Sequence, residues 1–144
     1  MANAGDFQKF GNVVSVFEFF KDYFARIVGS VGITYWKTVT ISAGSSLSNP
    51  VDISGFRNIA ITMPDDWTTA NLTFMVGPRD GSPDQFANLY DSAGNEVVLT
   101  AAEDRTITDI PELAPCRWIR IRSGTNASSI NQTADRELVL ILKG

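Results

Sequence analysis

The chain has 144 residues, enough for one domain whose core buries about two-thirds of the surface its unfolded form exposes. Apolar residues make up 44% and charged residues 19%, a globular balance that excludes the disordered and collagen-like classes. Histidine is absent, cysteine occurs once (Cys116) and the net charge is −4, which excludes His-dependent nucleophile systems, His-based metal sites, Cys clusters and intrachain disulfides, and points away from nucleic acid.

The first apolar stretch, from Phe7 to Val28, is interrupted by Lys9, Glu18, Lys21, Asp22 and Arg26. A signal peptide or membrane span does not carry such charges, so the chain is expected to be made in the cytoplasm and to stay soluble. Within that stretch Phe10, Val13, Phe17, Phe20, Phe24, Ile27 and Val31 recur at alternating spacings of three and four. That is an a/d seam, and it predicts an amphipathic helix with Asn12, Ser15, Glu18, Asp22 and Arg26 on the opposite side. Asp6 is placed to cap the helix and Gly29 to end it, so residues 1–32 read as a helix with its linker.

Six of the nine phenylalanines lie in the first 24 residues, more apolar area than an isolated helix can leave in water. The seam must dock. It can cover the chain's own sheet, bundle with other copies, or enter a groove on another protein. The charges around it sum to zero, so an anionic membrane surface exerts no pull.

From Tyr35 onward the grammar changes to short alternating runs between turn clusters, and residues 33–144 read as one β domain. The expected strands are Trp36 to Ser42, Ile59 to Met63, Leu72 to Val76, Thr106 to Ile110 and Arg117 to Arg122. Phe86 to Tyr90 and Glu96 to Thr100 flank the Gly-containing loop Asp91–Asn95 as a hairpin. Leu138 to Leu142 is apolar throughout, which predicts a central strand buried on both faces. Eight or nine short strands with no helix between them define a mainly β fold, an antiparallel β-sandwich of jelly-roll type behind one N-terminal helix.

No constellation for catalysis stands out, and a non-enzymatic protein is expected. Asp80, Asp84, Asp91, Asn95 and Glu96 are the oxygen ligands that two meeting loops could offer to Ca²⁺. The EF-hand spacing is absent and these are ordinary turn residues, so neither metal nor cofactor is expected. Arg117, Arg120, Arg122 and Arg136 are the basic cluster, best read as strand arginines paired with acids such as Asp135 and Glu137. Cys116 reads as a small, partly buried, inert side chain. Asn71, Asn126 and Asn131 begin Asn-x-Ser/Thr triplets and read as loop and strand chemistry rather than glycan acceptors. Trp67 beside Asp65 and Asp66 is the one candidate sugar-binding patch, and it could equally be a lid on the core.

Several strings resemble one family. They are Asn88–Thr100 (NLYDSAGNEVVLT), Arg117–Thr125 (RWIRIRSGT) and Asn131–Lys143 (NQTADRELVLILK), with Val39–Ser48, Ile61–Pro64, Trp67–Thr68 and Ala70–Phe74 alongside. Across about residues 36–144 the chain resembles small β-sandwich accessory virion proteins of tailed bacteriophages, the capsid decoration, cement and head-fibre type. The resemblance implies a virion protein without catalytic motif, assembled in the host cytoplasm and homo-oligomeric, whose partner is the major capsid protein or another virion component. A receptor- or glycan-binding module of a tail or head fibre is the alternative it leaves open.

Overall fold

A computed structural model of the chain describes residues 20–24, 33–77 and 85–144. Among these are eight strands: β1 Thr34–Ile41, β2 Val51–Asp52, β3 Asn58–Thr62, β4 Leu72–Gly77, β5 Ala87–Asn88, β6 Thr106–Ile107, β7 Trp118–Ser123 and β8 Arg136–Lys143. They form two four-stranded antiparallel sheets, β1-β8-β3-β6 and β2-β7-β4-β5. Along the chain every step except β4 to β5 crosses from one sheet to the other, which is the jelly-roll arrangement of two interlocked Greek keys. The sandwich expected from the alternating runs is the fold observed. Residues 20–24 form one turn and a little more of helix.

Alternation decides which side chains go inside. Val39 and Ile41 of β1, Ile59 and Ile61 of β3, and Leu138, Leu140 and Leu142 of β8 face Leu72 and Phe74 of β4 and Ile119 and Ile121 of β7. Leu113, on the 3-10 turn Pro111–Leu113, closes the core with Ile110 at its cap. Tyr35 stacks on Phe56 at one end, ring centroids 6.2 Å apart and nearly parallel. Every buried hydrophobic residue among those described lies between Val39 and Leu142.

β8 is central, between β1 and β3, as its composition predicts, but it is not buried on both faces. Leu138, Leu140 and Leu142 are fully enclosed, while Val139 and Ile141 on the outer face are half-buried. An unbroken apolar run carries no period to distinguish these two environments. The run from Thr106 to Ile110 also yields less strand than expected. β6 ends at Ile107, because Asp109 adopts a left-handed backbone with φ of 61° and Pro111 cannot donate to a ladder.

The Asp91–Asn95 loop forms as predicted. Asp91 Oδ1 accepts hydrogen bonds from the Ala93 and Asn95 amides, both at 2.9 Å, and Gly94 supplies a φ of 84°. The flanking segments meet in an isolated Tyr90–Glu96 bridge rather than a ladder. β5 pairs instead with β4, and Leu99 bridges to Leu72.

Candidate interaction surface

Three of the four arginines expected to pair with acids such as Asp135 and Glu137 have other partners. Arg122 donates to Asn88 Oδ1 at 2.6 Å and lies 3.5 Å from Glu96, and Arg136 donates to Asp66 Oδ2 at 2.8 Å. Arg120 donates to the Ser48 carbonyl at 2.8 Å and sits over the Phe86 ring. Burial pulls the Arg120 pKa below its usual value. Asp135 accepts from the Ala43 amide. The acids that pair with Arg122 and Arg136 are 26 and 70 residues distant in sequence, brought in by the sheets. With their guanidinium groups so engaged, Arg122 and Arg136 are parts of the scaffold.

The Trp67 patch loses its aromatic shelf. Trp67 is 6% exposed and its indole N–H donates to the Ala70 carbonyl at 3.0 Å, so the ring is a core lid. Asp65 and Asp66 remain on the surface. The segment is held by Gln132, a residue no sequence pattern singles out. Its side-chain amide accepts from the Thr68 amide at 2.9 Å and donates to the Thr68 carbonyl at 3.0 Å and to Ser123 Oγ at 2.7 Å. Gln132 thus acts as a peptide group where no strand is present. Leucine has the volume but not the bonds, so Gln132→Leu should cost about 3 kcal/mol by leaving buried polar groups unpaired. A lower urea midpoint at unchanged m-value is the expected reading.

Among the described residues no group of three or more His, Cys, Asp or Glu is arranged to hold a metal ion. Asp91 is engaged by its own loop, and Glu96 accepts from the Asn126 amide at 2.8 Å and faces Arg122. Asp80 and Asp84 lie outside the described residues. Cys116 is half-buried, its thiol donating to the Glu112 carbonyl at 3.5 Å, and burial pushes its pKa up, away from a reactive thiolate.

The surface features that remain are apolar. On the outer face of the first sheet Trp36, Ile141 and Ala60 form one cross-strand row, followed by Thr38, Val139 and Thr62. Trp36 is 66% exposed, the most open large hydrophobic side chain among the described residues. Beside the row lies a groove of about 320 Å³. Ala60, Ile141, Thr34 and Lys143 line it on the sheet side, and Thr108, Asp109 and Pro111 on the other. Such a surface can bury area and exchange hydrogen bonds with a partner.

Of the seven seam residues, Phe20 and Phe24 fall in the described helical stretch. Phe10, Val13, Phe17, Ile27 and Val31 lie outside the described residues. Phe24 is 60% exposed, with Phe20 and Tyr23 exposed beside it and their rings 6.4 and 6.2 Å from the Phe24 ring. No described helix is long and apolar enough to cross a membrane.

No protein-family model matches the chain, and no curated protein does. Among solved structures, the crystal structure of the SPBc2 prophage-derived protein YomS is similar, with a TM-score of 0.46 and 12% identity over 78% of this chain and 96% of that one.

Proposed function

We propose that this chain is a non-enzymatic structural protein of a tailed-phage virion. In this reading it decorates or cements the capsid or forms a head-fibre base, attached through its N-terminal helix with the jelly roll held outside. One observation supports it above the others: the described core is drawn from Val39 to Leu142, while the aromatic side chains of residues 20–24 stand exposed. Apolar area that stands exposed in the described residues can be buried against a partner. The sequence strings resembling accessory virion proteins supply the class of particle, and a jelly roll is compatible with it, since capsid proteins and lectins share that architecture.

Five or six large seam side chains, each contributing about 1.5–3 kcal/mol on burial, give a gross term near 10 kcal/mol before ordering costs. Repetition over a shell then adds avidity. The test is co-sedimentation with phage particles lacking this protein. Phe20→Asp with Phe24→Asp should reduce bound protein at least tenfold, since each buried carboxylate costs more than the 1.4 kcal/mol that equals a factor of ten. Undiminished binding by that double variant would place attachment elsewhere.

A further inference from the structure

The two sheets have four edges, and three are short: β2, β5 and β6 have two residues each. Short edges resist unwanted pairing. The fourth edge is β1, eight residues long. Its C-terminal end is covered, because the Thr40 amide donates to Asn49 Oδ1 at 3.0 Å and the Thr40 carbonyl accepts from the Asn49 amide at 3.4 Å. Those two bonds also fix the phase of the strand. Since Thr40 points away from β8, so do Thr34, Trp36 and Thr38, the alternate residues of an antiparallel ladder. Their N–H and C=O groups face outward, and among the described residues nothing bonds to them.

We propose that this open edge is a self-pairing surface, on which β1 of a second copy adds antiparallel across a two-fold axis at Trp36. The free stretch runs from Thr34 to Thr38, so its midpoint is Trp36. That register sets Trp36 against Trp36 of the other copy and Thr34 against Thr38, each as a pair exchanging both backbone hydrogen bonds. The two four-stranded sheets become one of eight strands. The row Ala60–Ile141–Trp36 continues into its own image, an apolar band across the axis. Charge permits this and no like-charged pair opposes it. Lys37 is turned inward and donates to the Asp52 carbonyl, while Lys143, paired with Thr34, comes beside Thr38 and Val139 of the other copy. An isologous contact requires such self-complementarity. This surface is separate from the helix proposed for particle attachment.

The full chain tests it by sedimentation over a concentration series, with amide exchange alongside. The wild-type protein should sediment at twice the 15.7 kDa chain mass, or an even multiple of it. Its Trp36 amide should exchange about 100-fold more slowly there than under dilution to single chains, as a backbone bond at a closed edge requires. Thr38→Pro removes an outward N–H without touching the β8 ladder, so it should halve the mass. Trp36→Lys sets two like charges across the axis and should do the same, and it alters only a solvent-facing side chain should the proline variant fail to fold. Phe20→Asp with Phe24→Asp should leave the mass unchanged. A single-chain mass for wild type at about 100 μM would overturn the proposal, since association that weak lies outside stable interfaces. So would a wild-type mass for Trp36→Lys, or loss of the dimer in the Phe20 and Phe24 double variant with Trp36→Lys intact. Particle binding is read separately, so failure here leaves the attachment reading standing, and the converse holds.

Discussion

Gly124→Ala should destabilise the protein by about 3–5 kcal/mol, near the upper end of what single substitutions do. Gly124 follows β7 with a φ of 90°, and a Cβ built there meets Ser128 O at 2.5 Å, Ile130 N at 2.8 Å and Ser129 Cα at 2.9 Å. All three atoms are backbone, so no side-chain rotation relieves the contact. Nor can Gly124 retreat. Its amide donates to the Asn71 carbonyl at 2.7 Å, and its own carbonyl accepts from the buried Thr73 hydroxyl at 2.8 Å. Gly44 provides the control, with a φ of 77° and nothing within 4 Å of the same virtual atom. Gly44→Ala therefore carries the left-handed backbone penalty alone, about 1–2 kcal/mol. Thermal melts should separate the two variants by about 5–10 °C for a chain of this size. Equal melting temperatures would mean that the 124–130 turn yields to the extra carbon, contrary to its hydrogen bonding.

Much of the sandwich is legible in sequence because alternation is a local property. Val39 and Ile41, Ile59 with Ile61 and Met63, and Ile119 with Ile121 each announce a strand and the face that goes inward, and all are buried. Pairing is not local. Nothing near Arg136 in sequence reveals that its carboxylate partner is Asp66, because that contact exists only once β8 crosses the sheet. Gln132 is invisible for a related reason, since its amide completes a hydrogen-bond pattern belonging to Thr68, 64 residues away. Thr34, Trp36, Thr38 and Thr40 do sit on one face in the sequence pattern, yet their significance as an open edge needs the strand order. Of the docking seam, the sequence shows the periodicity and the fold shows exposed rings at residues 20–24.

Removal of residues 1–32 should leave the sandwich as stable as the intact chain, within about 0.5 kcal/mol, while abolishing attachment to particles. The cut falls before Ile33 and retains Tyr35, whose ring closes one end of the core on Phe56. The described core residues, from Val39 to Leu142, all lie after the cut. The competing arrangement makes the opposite forecast. If the seam folds back over the outer face of the first sheet, its Phe and Val side chains shield Val139 and Ile141, and deletion exposes both surfaces to water. At about 25 cal/mol per Å² of apolar area, losing several hundred Å² of such contact costs several kcal/mol. The urea midpoint would fall, and a dye that binds exposed apolar surface would light up on the truncated protein. The two arrangements thus differ by several kcal/mol in one denaturation experiment. An unshifted midpoint together with lost co-sedimentation assigns the aromatic face to a partner, whereas a lowered midpoint returns it to the protein's own sheet.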